Sequence, residues 1–174
     1  MTIRAGRWLR SADPPWRRPS AGRMRRTRMT HPVDPDNEST YAAVEFPSSL
    51  EEAKKPEADI LRELRRCGYD NEVIFAIKLT LEESLTNAVK HGNRCDPTKR
   101  VAVRYAITPE KACFIIRDEG PGFDPDQIPD PTTPERIAVP SGRGILLMRA
   151  YMDRVEFRDN GREVFFMKRR ECCR

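Results

Sequence analysis

Long apolar runs are missing from this sequence of 174 residues: none approaches the roughly 20 residues of a membrane-spanning helix, so no transmembrane segment is expected. Histidine is nearly absent too. His31 and His91 are the two present, far apart in sequence, which argues against a His-rich metal centre. The five cysteines (Cys67, Cys95, Cys113, Cys172, Cys173) are odd in number and never spaced as C-x-x-C. Free thiols in a reducing cytosol fit that pattern better than a disulfide framework or a zinc site. No segment repeats. What is there, 38% hydrophobic and 34% charged residues, suits one globular domain with an unstructured portion.

A net charge of +5 invites a nucleic-acid reading, yet the positive charge is not spread along the chain. Residues 1–30 hold nine arginines against a single acid, Asp13, and the rest carries 23 basic against 26 acidic residues. The excess therefore belongs to a tail and not to a folded surface. Residues 1–39, rich in Arg and Pro and without apolar periodicity, are expected to be disordered. They lack the apolar core of a secretory signal, although the acid-poor character resembles a transit peptide. An alternative is that translation starts at Met24 or Met29.

A domain is expected over residues 40–170, with a short tail at 171–174. Tyr41–Phe46 is a short strand, stopped by Pro47. Pro56–Cys67 is a helix with Pro at its first turn and Gly68 just past its end. Asn71–His91 is a long helix, with Asp70 or Asn71 as N-cap and Gly92 closing it. Val101–Ile107 alternates as a half-buried strand, and Ala112–Asp118 is a second strand paired to it across the "TPEK" turn, followed by a proline-rich loop. Arg143–Met152 is a helix. Arg154–Arg158 and Glu163–Arg169 form a hairpin about Asn160-Gly161, whose residues tolerate positive φ. Consecutive hairpins with helices between them predict an α+β fold, a two-layer sandwich with a mostly antiparallel sheet and helices on one face.

Three stretches carry candidate chemistry. In "LTLEESLTNAVKHGN", Glu83 and Asn87 stand about 40° apart around the helix, whereas Glu82 is turned about 140° from Asn87. Ala76, Thr80 and Ser84 flank that stripe, and Ile74, Ile77, Leu81, Leu85 and Ala88 mark a separate apolar side. An Asn oxygen suits a hard cation such as Mg²⁺, and a neighbouring Glu can accept a proton from a hydroxyl. In "FIIRDEGPGFDP", Asp118 shares a strand face with Phe114 and Ile116, so its carboxylate needs a donor there, such as the exocyclic amine of adenine. Gly120 and Gly122 let the backbone pass close to a flat ring. In "PSGRGILLMRAYMD", Gly142 and Gly144 precede a helix whose first N–H groups, with Arg143, suit an anion. Taken singly, each has a plainer explanation: a solvated helix face, a β-turn, a loop entering a helix.

Taken in order, E-x-x-x-N, D-x-G-x-G and G-x-G before a helix resemble the nucleotide-binding boxes of the Bergerat-fold ATPases. That superfamily contains gyrase, MutL, heat-shock chaperones, histidine kinases and the anti-sigma factor serine kinases. The resemblance spans residues 41–169 and rests on "NAVKHGN", "DEGPGFDP" and "GRGILLMRAYMD". Histidine kinases usually carry Asn at the place of Glu83 and bring a phosphoacceptor helix pair for which this length leaves no room. The sequence is most similar to the anti-sigma factor serine kinases.

The resemblance implies ATP as cofactor, Mg²⁺ on Asn87, and Glu83 as base toward a serine or threonine hydroxyl. It also implies that Asp118 receives the adenine amine and that Gly120 and Gly122 shape that pocket. Gly142, Arg143 and Gly144 would meet the phosphates, with Lys90 and His91 as further contacts. Implied partners are an anti-sigma-factor antagonist as substrate and a sigma factor, in the cytoplasm, with a homodimer common in the family. One departure is Arg162, where the family usually shows Thr after the glycine of the last hairpin. Two rival functions are a non-catalytic ATP-binding switch and a nucleic-acid binder using the arginine tail.

Overall fold

The computed structural model describes residues 25–27, 34–124 and 143–170. Its strands are β1 (Arg25–Thr27), β2 (Ala42–Pro47), β3 (Arg100–Ile107), β4 (Lys111–Arg117), β5 (Arg154–Arg158) and β6 (Glu163–Arg169). They form one six-stranded sheet in the order β1-β2-β3-β4-β6-β5, antiparallel throughout. The helices are α1 (Leu50–Arg66), α2 (Asn71–Thr86) and α3 (Arg143–Tyr151). Helix α2 is the central one, packed against both α1 and α3.

One face of the sheet makes the core with the helices. Alternation along β3 sends Val101, Val103, Tyr105 and Ile107 there, and β4 adds Ala112, Phe114 and Ile116. Phe114 and Phe166, opposite each other on β4 and β6, stack with ring centroids 5.0 Å apart. Both are fully buried, each contributing about 1.5–3 kcal/mol of apolar transfer free energy. The opposite face carries a smaller cluster of Tyr41, Ala106, Cys113, Ile115 and Phe165. No helix covers it among the described residues. Instead the Arg158 and Arg154 guanidinium groups lie over the Phe165 ring, 4.7 and 5.5 Å from its centroid. Arg158 is held by Glu38 at 2.7 Å and Glu156 at 2.8 Å, and Arg117 bridges Glu163 and Asp159.

Several boundaries differ from expectation. Helix α1 begins at Leu50, so Pro56 is inside it and not at its first turn. The Ser49 hydroxyl accepts from the Glu51 N–H, and two glutamates in the first turn favour that start. Ala53 and Pro56 are both buried, so the earlier start adds core contacts. Part of the stretch expected to be disordered is structured: Arg25–Thr27 pairs with β2, and Glu38–Thr40 is a 3₁₀ turn capped by Asn37. The last hairpin matches expectation at both strands, with Asp159, Asn160 and Gly161 all at positive φ.

Candidate nucleotide site

The Asp70 carboxylate caps α2 by accepting from the Val73 N–H at 3.2 Å. From there the helix keeps α geometry to Thr86 and then widens to a π-helical turn, Asn87–Gly92. The Asn93 N–H closes that turn on the Ala88 carbonyl at 2.8 Å. Single π turns recur at functional positions because the extra residue re-aims the side chains that follow. Arg94 and Cys95, both in the left-handed region, then lead the chain away.

Glu83 and Asn87 are half-buried on this helix, while Glu82 is exposed and paired with Lys78 at 3.2 Å. The angular separation of Glu82 from the pair is as the sequence predicted. The small residues that flank the pair have a further role. Ala76, Thr80 and Ser84 are buried, with Thr80 Oγ1 donating to the Ala76 carbonyl and Ser84 Oγ to the Thr80 carbonyl. Ser84 also reaches Met148 Sδ at 3.8 Å, so this stripe is where α3 packs on α2. Periodicity separates polar from apolar sides but does not reveal a second helix lying on small residues.

The start of α3 closes on the same helix. A Cβ placed on Gly144 would meet the end of the Glu83 side chain, so the Glu83 carboxylate lies directly against the start of α3. Asn87 makes no hydrogen bond through its carboxamide to a described residue.

At the far end of the π turn, Gly92 abuts Asp118. Asp118 follows β4, is 9% exposed, and accepts a 2.7 Å hydrogen bond from the Gly120 N–H. Its own N–H donates to the Arg162 carbonyl at 3.0 Å. Burial pushes its carboxyl above the usual carboxylate range, opposed by the Gly120 bond and by the charges of Arg162, Arg117 and Lys99. A buried carboxylate with one protein donor keeps acceptor capacity for an amine from outside. The space left by Gly120 is taken by the Gly92 carbonyl, and that left by Gly122, at φ +81°, by the Asn160 carbonyl. At both glycines the space of a Cβ is thus filled by backbone of a neighbouring segment.

Lys90 and His91 are exposed on the π turn. Gly142 and the Arg143 side chain lie outside the described residues. Sequence reasoning took Gly92 as a helix stop and Asn93 as part of a motif, without their contacts to β3 and the end of β4. No set of three His, Cys, Asp or Glu side chains gathers to hold a metal among the described residues. A metal here fits Asn87 with phosphate oxygens and water completing its shell, as Mg²⁺ accepts. A shallow hollow of about 50 Å³, lined by Ala43, Glu45, Ala102, Arg104, Ile115 and Arg117, is far smaller than a nucleotide and does not include these groups.

A family profile described as histidine kinase-like ATPase domain matches residues 46–168. The serine-protein kinase RsbW of Bacillus subtilis is 32% identical over 101 residues, 55% of this chain and 63% of the relative. RsbW of Bacillus licheniformis is 32% identical over 113 residues, covering 59% and 69%. An anti-sigma F factor of Clostridium perfringens is 28% identical over 105 residues, covering 56% and 74%. The match thus spans a little under two thirds of the length of the Bacillus subtilis relative. Among solved structures, the RsbU and RsbW domains of a Mycobacterium tuberculosis protein match with a TM-score of 0.48 at 16% identity, over 76% of this chain and 37% of that one.

Proposed function

We propose that this chain, which belongs to the histidine kinase-like ATPase domain family, is an ATP-dependent protein kinase that phosphorylates a serine or threonine of a small anti-sigma-factor antagonist and otherwise holds a sigma factor. Support comes from relatives named serine-protein kinase and anti-sigma F factor, and from the geometry along the C-terminal half of α2 and its π turn. The carrying observation is the buried Asp118 carboxylate set against Gly92, at the end of the helix that bears Glu83 and Asn87.

Asp118 accepts from the exocyclic amine of adenine, which supplies its buried carboxylate with a second donor beside the Gly120 N–H. Asn87 offers its carboxamide oxygen to Mg²⁺, which when bound neutralises phosphate charge during in-line transfer. Glu83 takes the proton of the attacking hydroxyl, because a neutral serine is a weak nucleophile. The N–H groups at the start of α3 face the phosphates. Lys90 and His91, exposed on the π turn, add phosphate contacts in this reading.

A second reading, a nucleotide-binding switch without transfer, is favoured by one observation: the Glu83 carboxylate lies against Gly144, turned to α3. Titration calorimetry with Mg·ATP tests the site, and labelled ATP with an antagonist recovered from the host by pull-down tests the transfer. Heat without label on the antagonist leaves the switch. No heat overturns both.

A further inference from the structure

Asn93 is fully buried although its side chain is a carboxamide. Every polar group of that side chain is paired with main chain from two other segments. Nδ2 donates to the Arg100 carbonyl at 2.9 Å, and Oδ1 accepts from the Glu119 N–H at 2.8 Å. The Arg100 N–H donates in turn to Glu119 Oε2 at 2.8 Å, closing a ring of three residues. Because one partner is a backbone carbonyl and the other a backbone N–H, the orientation of the amide is fixed by chemistry.

The position of this ring explains it. The β3–β4 ladder ends at Ala102 opposite Arg117, and the same register continued outward would set Arg100 opposite Glu119. There no backbone-to-backbone bond joins the two segments, and the direct link is the Glu119 side chain on the Arg100 N–H. The Asn93 carboxamide, the same chemical group as a peptide unit, stands between them and accepts from one strand while donating to the other. It arrives from the end of α2, immediately after Gly92, which touches Asp118. The wedge therefore spreads β3 from the end of β4 at the place where Asp118 leaves the sheet.

We propose that Asn93 is a positioning residue of the nucleotide-base site: its carboxamide parts the ends of β3 and β4 and holds Asp118 and Gly120 against the end of α2. The role in binding rests on the nucleotide reading above, whereas the role in geometry does not. Aspartate in its place keeps the acceptor for Glu119 but sets an oxygen against the Arg100 carbonyl. Alanine leaves the part-buried Arg100 carbonyl and Glu119 N–H without this partner. Glutamine is a methylene too long for a filled site.

The test compares wild type with Asn93→Ala, and with Ile77→Val as a core variant remote from the ring. ATP affinity in Asn93→Ala is expected to fall about tenfold, with preference for ATP over GTP reduced and tripolyphosphate affinity nearly unchanged. Ile77→Val lowers the melting temperature without changing that preference. Independently of any nucleotide, NMR of Asn93→Ala should show faster exchange of the Glu119 amide and the Asp118 carboxyl titrating closer to an ordinary aspartate. Wild-type titration and exchange in the variant would overturn the proposal even where ATP binds. Absence of ATP binding in wild type, with the NMR changes present, would overturn the nucleotide reading and leave the wedge standing. Asn93→Ser, which retains one bond, serves if the alanine variant does not fold; failure of both makes Asn93 a folding residue and overturns its positioning role.

Discussion

Gly92 and Asp118 touch so closely that a Cβ on Gly92 would fall among the atoms of the Asp118 carboxyl group. Gly92 does not need positive φ, so its backbone alone would accept any residue. The neighbour, and not the conformation, demands glycine there. An acidic side chain at the end of a strand and a bare position at the end of a helix thus form one unit.

Gly92→Ala should accordingly displace Asp118. We expect a loss of about 1–3 kcal/mol in stability from overpacking, and a larger proportional loss in ATP affinity. Thermal unfolding and calorimetry on the same preparation check both. Full affinity in a folded variant would show that Asp118 does not face the base.

Asp118→Asn separates stability from binding. The folded-state carboxyl is raised by burial, so the native state holds its proton more tightly than the unfolded state does. Stability from this group is fully present below the unfolded pKa and is lost as pH rises through the folded pKa. The variant should therefore flatten the acid side of the pH–stability curve and be the more stable protein at neutral pH without ligand. Its affinity for ATP should fall while its affinity for GTP changes little. Urea unfolding across pH, with competition binding, gives both results; a steeper pH dependence in the variant would count against the assignment.

Glu83→Ala should keep nucleotide affinity and slow transfer to the antagonist by about 10²–10⁴-fold, the usual weight of a general base. Single-turnover transfer at saturating ATP isolates that step. An unchanged rate would remove the base role. Asn87→Ala should instead weaken ATP binding in the presence of Mg²⁺ and leave Mg-free binding alone.

Ser48 supplies a test of the scaffold. Its hydroxyl is buried and has no hydrogen-bond partner among the described residues. Ser48→Ala removes a desolvated polar atom without opening a cavity, and stability should rise or stay within about 1 kcal/mol. Chemical denaturation decides this.

Much of the fold was legible because its signals are local. The alternation of β3 and the Asp159–Gly161 turn need no knowledge of distant residues. The Glu83/Asn87 stripe is likewise a matter of helical angle. Three features escaped for a shared physical reason. The burial of Ala76, Thr80 and Ser84 depends on α3, a separate segment that settles on small side chains. Pro56 looks like a helix start until Ser49 is seen to cap earlier. Gly92 and Asn93 resemble an ordinary helix ending, and become site residues only when β3 and β4 meet them.

The two faces of the sheet answer to different solvents. Toward α1 and α2 the contacts are apolar, and added sulfate or phosphate strengthens them. On the other side, Phe165 lies beneath arginines held by Glu38 and Glu156, and ionic strength screens those partly exposed pairs. Rising salt should thus loosen the Glu38 turn and β5 first, while the helix end beside Asp118 stays set.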